Sequence, residues 1–266
     1  MKEKIISIIN QKGGVCKTTT VINLAAGLSL NNKKVLVIDL DPQGNATTGL
    51  GLSNIDQTSN SIYQVLVGKK KIDEAITKTN FSNLDIVTSN VDLSGLEVET
   101  ADDGRRAYIL KEKLTAYLND SRASYDYVLI DCPPSLSLLT VMALVASHSL
   151  LVPLQTEFFA LEGITQLIKT IDRIKAGLNQ ELTIRGILLT MYDKRNKLSG
   201  EVETEARNYF KEKVYKNVVP RNVRLSEAPS HGVPVLIYDK TCPGSKAYFS
   251  FANEVLNQDK PVESAA

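Results

Sequence analysis

Cysteine is scarce in this chain, and its placement excludes more than its number does. Cys16, Cys132 and Cys242 are the only three, they lie far apart, and no C-x-x-C occurs. An odd count without paired spacing points to neither a disulfide framework nor a metal or iron–sulfur site, and it fits a reducing cytoplasm. Histidine is rarer still. His148 and His231 are the only two, and neither sits beside a plausible nucleophile with an orienting acid, so a hydrolytic triad has little support. A surplus of one charge is lacking too: 31 Lys and Arg against 30 Asp and Glu leave a net charge of +1. Any nucleic-acid binding must therefore come from a local basic patch. The start, Met1-Lys2-Glu3-Lys4, runs into a strand within a few residues, so neither a signal peptide nor a helix-turn-helix ahead of that strand is expected. The stretch from Leu136 to Leu154 is nearly uncharged and close to membrane-spanning length. Pro153 and the Ser147-His148-Ser149 cluster break it into a buried helix of about a dozen residues and a strand.

What is present reads as one large α/β domain. With 266 residues, 43% apolar and 23% charged, the chain can bury a full central sheet. Strands are expected at Ile5 to Ile9, Val35 to Asp39, Leu84 to Thr88, Tyr127 to Asp131, Ser149 to Gln155, Ile184 to Met191 and near Val218. Helices are expected from Val21 to Leu28, Ser61 to Val67, Ile72 to Thr77, Arg105 to Leu118, Leu161 to Ile174 and Glu201 to Lys211, the last capped by Ser199 or a neighbour. This alternation, free of repeats, predicts a single-domain, doubly wound, mostly parallel sheet over 1–256, with 257–266 as a polar, frayed tail. The basic run Gly68-Lys69-Lys70-Lys71 reads as a solvated turn.

Between the first strand and first helix lies Asn10-Gln11-Lys12-Gly13-Gly14-Val15-Cys16-Lys17-Thr18-Thr19-Thr20. Gly13 and Gly14 allow main-chain N–H groups to converge on an anion at the positive end of a helix. Lys17 is placed to reach β- and γ-phosphates, and the Thr18 hydroxyl to reach Mg²⁺. The strict pattern G-x-x-x-x-G-K-[ST] is broken at Gln11 and Cys16. Two further acids end apolar strands: Asp39, leading into Asp41-Pro42-Gln43-Gly44-Asn45, and Asp131, followed by Cys132-Pro133-Pro134. In open α/β sheets that end of the strand binds ligands; Asp131 alone could equally be a helix cap, but paired with the glycine loop it is better read as serving a Mg²⁺ shell opposite Thr18.

The loop resembles the deviant Walker A motif K-G-G-x-G-K-[ST] of the ParA/MinD ATPases and matches it everywhere except Cys16. Asp39 to Asn45 resembles that family's D-x-D-P-Q-G-N segment, and Ala160 to Gly163, Thr190 to Asp193 and Val219 to Gly232 are similar to it as well. The resemblance implies a P-loop NTPase of the ParA/Soj type that uses ATP and Mg²⁺. ATP is then held by Lys12, Gly13, Gly14, Val15, Cys16, Lys17, Thr18 and Thr19, with Pro220 and Asn222 at the adenine. It further implies that Lys12 crosses to the neighbouring subunit's phosphates, that Lys17 and Asp41 serve hydrolysis, Asp41 orienting the water, and that Thr18, Asp39 and Asp131 serve the metal. An ATP-dependent homodimer that coats double-stranded DNA on the nucleoid, through Lys194, Arg195, Lys197, Arg221 and Arg224, and a ParB-type partner are implied too. A MinD-like membrane switch is the alternative; it needs a basic amphipathic helix that the segment from Phe249 to Leu256 and the mixed residues after it do not supply. Stable membrane binding is therefore not expected. Cys16 is expected to crowd the phosphates and slow turnover, and its thiol, beside a lysine and a helix N-terminus, to have a lowered pKa.

Overall fold

The computed structural model describes residues 4–52, 59–120, 124–158 and 160–260. The chain begins with β1 (Lys4–Ile8), α1 (Lys17–Leu30), β2 (Val35–Asp39) and the short α2 (Asn45–Gly49). Then come α3 (Ile62–Leu66), α4 (Ile72–Ala75), β3 (Ile76–Lys78), β4 (Leu84–Val87), α5 (Leu96–Glu99) and α6 (Ile109–Leu118). The alternation is more regular through β5 (Tyr127–Asp131), α7 (Leu138–Ala146), β6 (Ser149–Gln155), α8 (Ala160–Gly177), β7 (Thr183–Thr190) and α9 (Lys197–Phe210). Helices α10 (Val223–Glu227), α11 (Val235–Tyr238) and α12 (Pro243–Gln258) follow.

The strands form one seven-stranded sheet in the order β3-β4-β2-β5-β1-β6-β7, parallel except where β3 runs against β4. Every residue of β2 and β5 is buried, which is why both read as unbroken apolar runs. Leaving β1 the chain turns to β2 on one side, and later strands β6 and β7 fill the other, so the switch point of the sheet lies at β1 and β5. Register sets Ile8 beside Asp131, and Asp131 beside Asp39, at the carboxyl ends where such sheets bind ligands.

One face of the sheet is covered by α1 and α12, which approach closely: a Cβ on Gly27 would lie 2.6 Å from that of Ala252. The other face carries α6 and α7 on one half and α8 and α9 on the other. No described helix is long and apolar enough to cross a membrane. The stretch from Leu136 to Leu154 divides into α7 and β6 as its proline and serines require.

Four expectations need correction. The helix read from Ile72 to Thr77 stops at Ala75, because β-branched Ile76 and Thr77 pair with Val87 and Ile86 as an edge strand. No strand forms near Val218; the chain makes isolated bridges from Val214 to Ile187 and from Pro220 to Tyr192, and Pro220 has no N–H to extend a ladder. Helix α9 starts at Lys197, with Asn196 as its cap through a 3.0 Å bond from the Leu198 N–H, so Ser199 lies inside the helix. The tail starts later than residue 257: α12 runs to Gln258, and Asp259 is paired with Lys4 at 2.6 Å and Arg185 at 2.8 Å. Residues 261–266 of that tail lie outside the described residues.

Candidate functional site

The loop from Asn10 to Cys16 joins β1 to α1 over the switch point. Gly13 and Gly14 are exposed, Gly14 has φ +76°, and an added Cβ at either would meet nothing within 4 Å, so their backbone is open to an incoming anion. The loop is pinned from below. Asn10, 4% exposed, donates from Nδ2 to the Pro153 carbonyl at 2.8 Å and accepts the Lys12 N–H at 3.0 Å. Thr190 donates to the Val15 carbonyl at 3.2 Å. Asn10 and Thr190 both fall in stretches that stand out in the sequence, but the partners that give each its pinning role lie far along the chain.

Cys16 takes the left-handed backbone at φ 69°, ψ 32°, a conformation that costs a side-chain-bearing residue about 1–2 kcal/mol. Burial pushes the pKa of its thiol up to about 11, against the opposing effect of Thr190 beside it. This corrects the expected lowered pKa: desolvation under the loop outweighs Lys17 and the helix end. Lys17 lies 8% exposed and donates to the Lys12 carbonyl at 3.1 Å. Burial lowers its pKa, against the opposing charge of Asp131. Thr19 is half-buried, and its carbonyl takes the Asn23 side chain at 2.8 Å.

The three acids have separate surroundings. Asp39 is fully buried, with Oδ2 accepting from Thr47 N at 2.8 Å and Thr47 Oγ1 at 2.7 Å, and Oδ1 accepting from Asp41 N at 3.2 Å. Burial pushes it up to about 6, against those bonds. Asp39 thus ties down the Asp41–Asn45 segment, with two bonds on Oδ2 and one on Oδ1. Asp41, 7% exposed, turns the segment by accepting the Gln43 N–H at 3.0 Å. Asp131 differs from both: it is 0% exposed, and neither carboxylate oxygen has a hydrogen-bond partner of normal geometry. Burial and then the Asp39 charge raise its pKa well above the carboxylate range, while Thr18 and Lys17 beside it act the other way. An unsatisfied buried carboxylate next to a hydroxyl offers oxygen donors of the kind a hard cation uses, and the Lys17 ammonium beside them suits an anion such as phosphate. No cluster of three His, Cys, Asp or Glu suited to a metal occurs among the described residues.

The remaining candidates are spread out. Lys12 points to Glu157, with 2.9 Å between Nζ and Oε2. Lys194, Arg195, Pro220 and Arg221 line one cavity of about 640 Å³ with Tyr192. Asn222 uses its side-chain oxygen to cap α10 at 3.1 Å from Arg224 N. Arg195 pairs with Asp193 at 2.9 Å, and Arg224 with Glu227 at 2.7 Å. Lys197 opens α9 on the exposed surface.

The AAA-domain family model matches residues 3–184. The chromosome partitioning protein ParA of Caulobacter vibrioides is 49% identical over 263 residues, covering 99% of this chain and 97% of that one. The sporulation initiation inhibitor protein Soj of Bacillus subtilis is 48% identical over 252 residues, covering 95% and 98%. Among solved structures, cobyrinic acid a,c-diamide synthase from Mycobacterium smegmatis with bound ATP analog and magnesium superposes with a TM-score of 0.85 at 33% identity, covering 97% and 96%. With a deviant Walker A loop at the switch point of its sheet and this likeness along its whole length, the chain belongs to the ParA/Soj family of P-loop NTPases.

Proposed function

We propose that the protein is a Mg²⁺-dependent ATPase that partitions chromosomes or plasmids. On ATP it forms a homodimer that binds double-stranded DNA nonspecifically, and a ParB-type partner acts on it. The observation that carries this reading is Asp131, a buried carboxylate without a partner, set beside Thr18 and Lys17 under an open glycine loop. The names of the relatives, and the ATP analog and magnesium bound to the similar synthase, support the same chemistry.

In this reading Lys17 exchanges the Lys12 carbonyl for the β- and γ-phosphates, a short move because its ammonium already lies under the loop. Asp131 and Thr18 would hold Mg²⁺, and the bound ion would supply positive charge to offset that developing on the phosphates. Asp41 orients the attacking water from a segment that Asp39 keeps fixed through Thr47. Lys12 has to leave Glu157 before it can reach a second subunit, so dimerisation breaks one exposed ion pair worth at most about 1 kcal/mol. Pro220 and Asn222 border the adenine. Lys194, Arg195, Lys197, Arg221 and Arg224 meet DNA phosphates, the two pairs Arg195–Asp193 and Arg224–Glu227 opening on contact. A MinD-like membrane switch ranks second, because α12 commits Tyr248, Phe251, Ala252 and Val255 to the core.

DNA cosedimentation with ATP, ADP or no nucleotide tests the proposal. Pelleting only with ATP, lost in Lys17→Ala together with nucleotide binding, is expected. Arg195→Ala should weaken all sequences alike and lower the salt slope by roughly one unit. Unchanged nucleotide affinity in Lys17→Ala would sink the phosphate assignment.

A further inference from the structure

A large cleft opens at the end of the sheet away from the glycine loop. It has a volume of about 960 Å³, the size range of small-molecule sites. Its walls come from the start of β2, the β3–β4 turn, α4, the second half of α6 and the residues leading into β5. All of these lie at the amino ends of β2, β4 and β5. Each of β2 and β5 is five residues long, about 17 Å of strand, so this cleft is separate from the phosphate loop.

The rim is basic. Lys34, Lys70, Lys71, Lys78 and Lys113 line it, against Asp73, Asp85 and Asp120, an excess of two positive charges. The lysines are not equally engaged. Lys78 is neutralised by Asp85 at 2.6 Å, Lys34 donates to Ser124 at 3.1 Å, and Lys70 donates to Asn60. Lys71 and Lys113 have no acidic partner among the described residues, and Lys113 Nζ lies 3.9 Å from where a side chain on Gly68 would begin. The basic run Gly68 to Lys71, read from the sequence as a solvated turn, thus lies beside another lysine, and its Lys70 and Lys71 line the cavity. One wall is aromatic: Phe81, Tyr117 and Tyr125, the two tyrosine rings 6.4 Å apart. The floor is fixed, since Asp85, 7% exposed, accepts from Tyr125 Oη and Lys78 Nζ, both at 2.6 Å.

We propose that this cleft binds a small phosphate-bearing molecule of the nucleotide class, its planar ring on the tyrosine wall and its dianionic phosphate on Lys71 and Lys113. The charge excess matches a phosphate monoester, and an aromatic wall beside two unpaired ammoniums offers both parts of such a ligand a complement. The site is distinct from the ATP site proposed above and does not depend on it.

The chain has no tryptophan, so Phe81→Trp supplies a single tryptophan in the cleft, excited selectively at wavelengths tyrosine does not absorb. Titrated with GMP, this variant should show saturable quenching that persists when Lys17→Ala is added and weakens at least tenfold when Lys71→Ala and Lys113→Ala are added. If Phe81→Trp fails to fold, lysine acylation of the unaltered chain read by mass spectrometry replaces it. GMP should then protect Lys71 and Lys113 and leave Lys169 unchanged. No saturable quenching or protection, a response unchanged by the double lysine variant, or one abolished by Lys17→Ala would overturn the proposal.

Discussion

Asp131→Asn should make the nucleotide-free protein more stable while impairing its use of Mg²⁺·ATP. The carboxylate is fully buried, has no hydrogen-bond partner, and sits in register with Asp39 on the next strand. A buried charge of this kind costs the fold roughly 1–3 kcal/mol. The isosteric amide removes the charge and its repulsion from Asp39, so the net gain should be about 1–2 kcal/mol. For a chain of 266 residues that is a rise of roughly 3–6 °C in Tm. Far-UV circular dichroism is the suitable probe, since there is no tryptophan to follow. The pH dependence has a definite sign. Burial pushes Asp39 up to about 6 and raises Asp131 as well, so the folded state binds more protons than the unfolded one between the two pKa values. Stability is then greatest below an unfolded carboxylate pKa of about 4 and falls as pH rises toward 6, and this slope should flatten in Asp131→Asn. With Mg²⁺·ATP at a hundred times its Kd the parent gains about 2.7 kcal/mol, and the variant should gain far less. A variant no more stable than the parent without nucleotide, or stabilised equally by Mg²⁺·ATP, would refute the reasoning.

Three further outcomes are expected. Asp41→Ala should retain ATP binding and lose turnover, because orienting water matters in the transition state alone; hydrolysis at the parental rate means Asp41 has another role. Cys16, with its thiol raised to about 11, should react with iodoacetamide at pH 8 roughly a hundredfold more slowly than a free cysteine, and mass spectrometry showing rapid labelling would contradict its burial. Gly27→Ala should cost about 1–2 kcal/mol in urea melts, because its Cβ would lie 2.6 Å from Ala252 Cβ, and Ala252→Gly should restore most of that loss.

The sequence by itself determined the parts whose cause is local. Unbroken apolar runs made β2 and β5 legible because both faces of a central parallel strand are buried, and the glycine pair before Lys17 marked a phosphate loop because few other residues leave backbone N–H groups open. Asp39 and Asp131 were legible as acids ending such strands, yet their roles were not. Only the register that sets the two side by side, and Thr47 reaching Asp39 from the next helix, separates a carboxylate hydrogen-bonded to the chain from one without such a bond. The same holds for Cys16, where local charges argue for a reactive thiol and burial against Thr190, far along the chain, decides otherwise. The partner of Asn10, the pairing of Lys12 with Glu157 and the lysine-rimmed cleft were invisible in one dimension, since each depends on residues brought together from distant strands and turns. Propensity and spacing act over a few residues, whereas desolvation and partner choice are set by whatever the fold packs alongside.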